Sequence, residues 1–296
     1  MTMLFGALEG GGTKMVLSLL DENGTMLERC SIPTQTPDIT MPAMISFFRS
    51  RKVDALGIAC FGPLDLNPAS PAYGSITATP KLDWRDVAIL AEFRKGLGVP
   101  VKIDTDVNAA ALAEATLGVA RGLSSCLYVT IGTGIGGGVV LGGAPVHGLV
   151  HPELGHQLMS PVPGDPAPEG FCPYHKHCLE GLASGPAIEK RWHTPAPQLP
   201  PEHPAWEVES AYLAQMCHNA IMSFSPEKII LGGGVMQQEF LFPIIRRKTV
   251  ELLGGYLCHP VVERGLEDYI VPPGLGVHSG VMGAWLLARE ALAEQA

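Results

Sequence analysis

Residues 124–141 read SSCLYVTIGTGIGGGVVL. Two runs of aliphatic and β-branched residues flank a glycine-rich turn, the pattern of strand, tight turn, strand. Gly132–Gly137 also matches G-x-G-x-x-G. A dinucleotide-binding fingerprint needs a helix directly after it, and Gly138-Val139-Val140-Leu141 reads as strand instead. A phosphate-binding hairpin therefore fits better than the nucleotide site of an NAD-linked oxidoreductase. Near the start, residues 6–20 read GALEGGGTKMVLSLL, the same architecture. Each stretch carries three consecutive glycines, Gly10–Gly12 and Gly136–Gly138. This internal repeat predicts two related α/β halves with a cleft between them.

Outward from these hairpins the chain alternates strand and helix. After the first hairpin, residues 40–49 have a helical apolar pattern, and residues 53–61 (VDALGIACF) read as a buried strand closed by Gly62-Pro63. Residues 62–85 form a long Pro/Ser/Thr loop, and loops of that length are often functional. Residues 87–97 predict a helix, 99–103 a strand, and 106–117 an Ala/Leu-rich helix. Beyond the second hairpin, helices are expected at 186–192, 206–224, 242–253 and 281–293, with strands at 228–231 and 269–271. The expected domains are 1–116 and 117–279, with a C-terminal helix at 280–296 packing back on the first.

The chain has 296 residues, 46% of them hydrophobic, and a net charge of −9. Its mean hydropathy is +0.20, so a sizeable core is available. No apolar run is long enough to span a membrane and the N-terminus lacks a secretory pattern, so a cytoplasmic protein is expected. The acidic balance without a Lys/Arg block points away from nucleic acid. Seven irregularly spaced cysteines suggest reduced thiols and no disulfide framework.

Four places carry candidate chemistry. Asp106 follows a short strand and opens a helix. It reads either as an N-cap or as a general base held where the helix terminus favours its anion. Asn108, two residues on, reads either as a residue that orients the same substrate or as an ordinary first-turn residue. The segment Glu9-Gly10-Gly11-Gly12-Thr13-Lys14 sets a flexible turn beside a hydroxyl and a cation, so its N–H groups can approach phosphates. Gly232–Gly234 follows a buried strand, where missing side chains would let a purine or ribose lie close. Finally, residues 151–185 hold four of the ten histidines and two of the seven cysteines. Cys172, His175 and Cys178 form C-x2-H-x2-C, with His156 sixteen residues before Cys172. Two thiols and two imidazoles complete a tetrahedral Zn²⁺ set with no open position, which predicts a structural metal. His177 competes with His175 for the third place, and His175 is favoured. A metal fixing this loop would also fix Glu153 and Glu180 for hydrogen bonds to a polyhydroxylated ligand.

Taken together, these pieces resemble the ROK sugar kinases of the actin/hexokinase-type ATPase superfamily. The resemblance is carried by GALEGGGTK at 6–14, FGPLDLN at 61–67, DTDVNAAALAE at 104–114, IGTGIGGGVVL at 131–141, HPELGH at 151–156, CPYHKHCLEG at 172–181, PEKIILGGGVM at 226–236 and PGLG at 273–276. Glu9, the loop at 70–81 and C-x2-H-x2-C are most similar to the bacterial fructokinase branch. The resemblance implies a duplicated α/β, ribonuclease H-like fold and ATP-dependent phosphorylation of a hexose at its terminal hydroxyl. It also implies Mg²⁺, a structural Zn²⁺ and a homodimer. Asp106 would be the catalytic base, while Glu153, His156 and Glu180 would contact sugar, His156 also holding zinc. Gly132, Thr133 and Gly134 would face the ATP phosphates, and Gly232, Gly233 and Gly234 the adenosine. Thr105 stands where glucose-specific members often have Asn, which points away from glucose. His278-Ser279 stands where an Asp-Asn pair is common. Mannose, glucose and amino-sugar kinases share the fold and remain alternatives. Family regulators that bind DNA carry an N-terminal helical domain, whereas here strand begins by residue 3.

Overall fold

Both glycine-interrupted stretches fold as antiparallel hairpins, and each seeds one sheet. The computed structural model describes residues 3–295. In the first unit β1 (Phe5–Gly10), β2 (Lys14–Leu20) and β3 (Met26–Pro33) precede α1 (Pro37–Arg51). Then come β4 (Ala55–Cys60), α2 (Ile89–Leu97), β5 (Val101–Thr105) and α3 (Asp106–Thr116). The second run comprises β6 (Ser125–Ile131), β7 (Ile135–Leu141), β8 (Ala144–Pro145), α4 (Leu179–Ala183), α5 (Gly185–Trp192) and α6 (Ala205–Phe224). It continues with β9 (Ile229–Gly232), α7 (Leu241–Leu253), α8 (Pro260–Glu263), β10 (Ile270–Val271) and α9 (Ser279–Ala293).

The sheet orders are β3-β2-β1-β4-β5 and β10-β9-β6-β7-β8. Taken from opposite ends they are one pattern. The hairpin strands β1/β2 and β6/β7 pair antiparallel, while β1/β4, β4/β5, β6/β9 and β9/β10 pair parallel. This is the duplicated α/β, actin/hexokinase-like architecture with two sheets.

The chain divides into Met1–Gly118, Ala144–Pro152 and Val277–Ala296 as one unit, and Val119–Gly143 with Glu153–Gly276 as the other. The division differs from the expected 116/117 boundary chiefly in Ala144–Pro152, which joins the first unit through long-range contacts that local sequence does not encode. β3 was absent from the expected elements. Its alternating pattern of half-buried and exposed residues includes Glu28 and exposed Leu27, as an edge strand allows.

The core of the first unit packs apolar residues of its sheet against α1 and α2, with Phe48, Trp84 and Phe93 almost wholly buried. Against this sheet α9 lies in backbone contact. A Cβ on Gly57 would sit 1.8 Å from the Ala284 carbonyl oxygen, and one on Gly283 only 2.0 Å from that of Ala109. Neither neighbour is a movable side-chain tip, so an added methyl must displace the helix. Gly57→Ala is expected to destabilise the chain by about 1–3 kcal/mol or more. Equilibrium denaturant unfolding measures this, and an unchanged midpoint would show that the α9 contact is looser than described. None of the described helices is long and apolar enough to cross a membrane.

Candidate active site

Register sets the first cluster of functional groups. In the first sheet Gly10 lies opposite Cys60, and Cys60 opposite Thr105. The β1–β2 turn and the start of α3 thus sit at one carboxyl edge of parallel strands, where open α/β sheets place ligands. The turn is closed by the Gly11 N–H donating to the Lys14 carbonyl at 3.0 Å. The Thr34 hydroxyl donates to the Gly11 carbonyl at 2.8 Å and holds the turn from outside.

Asp106 is the first residue of α3, but Thr105 is the cap, its hydroxyl accepting the Asn108 N–H at 3.1 Å. The Asp106 carboxylate accepts the N–H of Val107, at 3.0 Å, and also faces its own backbone N–H. Burial pushes its pKa up to about 6. Glu9, on the same sheet edge, is pushed up to about 7, first by burial and then by the charge of Asp106, with Arg29 and Lys14 opposing. Both carboxyls thus titrate above their ordinary range, Glu9 partly because of the Asp106 charge, and buried carboxyls of this kind are candidates for acid/base work. Glu9 was not among the expected site residues, although its place beside the glycine turn was a usable signal. The Gly280 side of α9 packs against it, because a Cβ there would lie 2.8 Å from the Glu9 carboxylate.

Asn108 does not face outward. It is fully buried, and its Nδ2 donates to Asp104 Oδ1 at 2.8 Å. Asp104 in turn binds His147 Nε2 at 2.9 Å through its other oxygen, and that hydrogen bond raises the His147 pKa. His151 is buried, its Nε2 accepts the Leu64 N–H at 3.1 Å, and burial lowers its pKa. Both histidines thus brace the strand ends and the Gly62-Pro63 corner from Ala144–Pro152. At the head of α9 the Ser279 hydroxyl donates to Glu114 Oε1 at 2.7 Å, which accounts for serine there: a short donor meets a fully buried carboxylate.

The second unit brings its own turns together. Thr130 lies opposite Gly232 in parallel register, so Gly132–Gly134 and Gly232–Gly234 leave the sheet side by side. A Cβ on Gly132 would come within 3.8 Å of the Gly234 nitrogen. Gly233 adopts φ +91°, and a Cβ there would meet the Ile131 carbonyl oxygen at 2.3 Å, so glycine is required by both conformation and space. Thr133 is exposed between Gly132 and Gly134.

In the same unit the ligand atoms of His156, Cys172, His175 and Cys178 all lie within 4.8 Å of one another. Cys172 Sγ is 4.0 Å from His156 Nδ1 and 3.8 Å from His175 Nδ1, and Cys178 Sγ is 3.8 Å from His156 Nδ1. His177 is turned away, donating from Nδ1 to the Pro168 carbonyl at 2.7 Å. Cys178 also heads α4, where its sulfur accepts the Gly181 N–H. Two residues on, Glu180 Oε2 accepts the Ile135 N–H at 2.9 Å, and a Cβ on Gly134 would lie 2.7 Å from that oxygen. Glu180 therefore ties the His/Cys loop to the second glycine turn, a contact that spacing alone did not suggest. Glu153 is exposed, and its carbonyl accepts the His156 N–H at 2.9 Å.

Known proteins share this sequence and fold from end to end. The profile of the ROK family matches residues 5–291. A fructokinase of Pediococcus pentosaceus is 46% identical over 98% of this chain and 99% of its own length. A fructokinase of Zymomonas mobilis is 43% identical over 97% of each chain. Among solved structures, the ROK hexokinase from Thermus thermophilus superposes with a TM-score of 0.77 at 28% identity, covering 99% of this chain and 100% of that one.

Proposed function

This chain belongs to the ROK family and is an ATP-dependent sugar kinase, and we propose that its acceptor is fructose, phosphorylated at the 6-hydroxyl with Asp106 as general base. The observation that carries the sugar assignment is end-to-end identity of 43% and 46% with two fructokinases. The ROK hexokinase, with the same fold, is 28% identical. A coupled ADP-release assay across fructose, mannose, glucose and N-acetylated hexoses tests it. Fructose is expected to have the highest kcat/KM, and a higher value for any other sugar would reassign the substrate.

In this reading the sugar oxygen attacks the γ-phosphorus, the bond to the β-phosphate oxygen breaks, and the hydroxyl proton passes to Asp106. The Gly11 and Gly132 N–H groups close their own turns, and the N–H groups of Gly12 and Thr13 in the first turn and of Thr133 and Gly134 in the second would stabilise charge on the phosphates. Lys14 adds a cation at the first turn, and Gly232–Gly234 leaves room for adenosine. Mg²⁺ bound with the nucleotide would neutralise phosphate charge, and the carboxylates of Glu9 and Asp106 would suit a cation nearby. Glu153, His156 and Glu180 are assigned to the sugar; Asn108 acts indirectly, by holding Asp104.

The raised Asp106 supports its role, because a base works best when its pKa approaches the working pH. Catalysis needs the deprotonated form, so activity rises as pH rises through the folded pKa. The acid limb of kcat/KM, which reports the free chain, is expected near the value of about 6 for Asp106. A limb near the usual carboxylate range, about 4, would remove Asp106 from this step.

Zinc is assigned to the His/Cys loop. Tetrahedral zinc, with Zn–S about 2.3 Å and Zn–N about 2.0–2.1 Å, has S···N edges of about 3.6 Å. The observed separations of 3.8–4.0 Å lie close to that figure, and the donor set is closed. Burial pushes the Cys178 thiol up to about 11, so a cation is what would keep it a thiolate. His156, Cys172, His175 and Cys178 would hold the ion, whose contribution is loop order rather than reaction chemistry.

A further inference from the structure

The long loop at 62–85 is built more firmly than its composition suggests, and it delivers one cation to the first glycine turn. A Cβ on Gly12 would lie 3.1 Å from Lys81 Cε and 4.0 Å from Lys81 Nζ. The end of the lysine stem thus lies against the turn, within van der Waals reach of Gly12.

The backbone beneath Lys81 is fixed on both sides. Its N–H donates to the Thr79 hydroxyl at 3.3 Å, and its carbonyl accepts the Trp84 N–H at 2.9 Å. Thr79 is buried, and its own carbonyl accepts Arg85 Nε at 3.0 Å. Trp84 is buried too, and its indole N–H donates to the Gln35 carbonyl at 2.8 Å. The side chain, by contrast, is left uncommitted. It lines a cavity of about 400 Å³ beside Thr34, Gln35, Asp83 and Trp84. Among the described residues its amine has no hydrogen-bond or ion-pair partner. A surface lysine that merely covers an aromatic would not need its backbone pinned this way. An anchored stem with an unpaired ammonium over an anion-binding turn is suited to a ligand carrying several negative charges.

We propose that Lys81 is a further phosphate-contacting residue, which reaches the terminal phosphoryl group held at the Gly10–Thr13 turn. The proposal rests on the ATP-dependent kinase reading above. As the γ-phosphoryl group transfers, its charge spreads over three peripheral oxygens, and a positioned cation stabilises that distribution. Lys81 would therefore act on transfer more than on sugar binding. Lys14, on the opposite flank of the same turn, has Glu9 within electrostatic reach and is partly compensated; Lys81 has no such acid bonded to it.

The test titrates Mg²⁺ with AMP, ADP and the non-hydrolysable analogue AMPPNP into wild type, Lys81→Met and Lys81→Arg by calorimetry, with thermal melts as a fold control. Lys81→Met is expected to weaken AMPPNP at least about 10-fold, ADP less, and AMP not measurably. With sugar present, kcat is expected to fall by about 10- to 100-fold while the sugar KM stays within about twofold. Lys81→Arg, which keeps the charge, should recover most of both. AMPPNP affinity and kcat within twofold of wild type in Lys81→Met would overturn the proposal, as would an equal loss for AMP. The binding arm needs no sugar. A Lys81-dependent AMPPNP affinity in a chain that phosphorylates none of the hexoses would therefore overturn the sugar assignment while leaving Lys81 in place.

Discussion

Asp106→Asn is expected to keep the fold and to lower turnover by about 10² or more, because general-base catalysis contributes on that order. Stability should survive for a specific reason. Thr105, not Asp106, caps α3, and an asparagine oxygen can still accept the Val107 N–H. The direction of any stability change is also fixed by linkage. Burial raises the folded-state pKa of Asp106 from 3.8 to about 6. A carboxyl raised on folding favours the folded state at low pH, and that advantage is lost as pH rises through the folded value. Above about 6 the ionised group therefore costs stability, and neutral asparagine removes the cost. The variant should melt at an equal or higher temperature at pH 8, while kcat collapses. Glu9, relieved of a neighbouring charge, should titrate lower than its wild-type value of about 7. Turnover within a few-fold of wild type would eliminate Asp106 as the base. A lower melting temperature at pH 8 would mean that the carboxylate is structural.

The second large effect is expected from Cys178→Ala. The wild-type chain should carry one zinc per chain by elemental analysis, and the variant far less, because binding energy at a structural site is also folding energy. The damage should be confined. One part of the loop is fastened without metal. Arg191 Nε pairs with Asp165 Oδ1 at 2.7 Å with both side chains almost wholly buried, and the Tyr212 hydroxyl donates to Asp165 at 2.6 Å. That pair should hold residues 160–168. Residues 169–181 have no such buried ion pair; backbone bonds hold them, Phe171 and His177 N–H to the Gly181 and Glu169 carbonyls, Leu179 N–H to the Gln157 carbonyl and Met159 N–H to the His177 carbonyl. Hydrogen exchange should therefore accelerate over 169–181 and at the Ile135 amide, which Glu180 accepts. Sugar affinity should weaken with it. Undiminished fructose affinity and unchanged protection in a zinc-free chain would separate this loop from sugar binding.

How far the sequence led depended on whether a feature was local. The two hairpins were legible because each joins aliphatic strands through consecutive glycines, and the matching sheet orders follow from them. The helix at 106–116 was legible from alanine and leucine content, and the His/Cys set from its spacing. What escaped was long-range. β3 hides behind Glu28 and Arg29 because an edge strand needs no continuous apolar run. Asn108, the third residue of α3, was legible as a candidate substrate contact, and its Oδ1 is left without a partner among the described residues, but its burial was not legible. It is buried because Asp104, four residues back, and His147, 39 residues on, meet at its amide. Glu180 looked like a sugar ligand alone, whereas one of its oxygens is bonded to Ile135, 45 residues away. Lys81 ends the fructokinase-like loop at 70–81, but its place against Gly12 comes only from the folding of residues 62–85.

The central claim is that this chain moves the γ-phosphoryl group of ATP to the 6-hydroxyl of fructose using Asp106. Phosphorus NMR of the wild-type chain with fructose and MgATP follows that transfer directly, with the Asp106→Asn chain run in parallel. The account predicts one sugar phosphomonoester, fructose 6-phosphate, growing in step with ADP in the wild type and about 10² more slowly in the variant. ADP accompanied only by inorganic phosphate, phosphorylation at another hydroxyl, or equal rates in the two chains would contradict it.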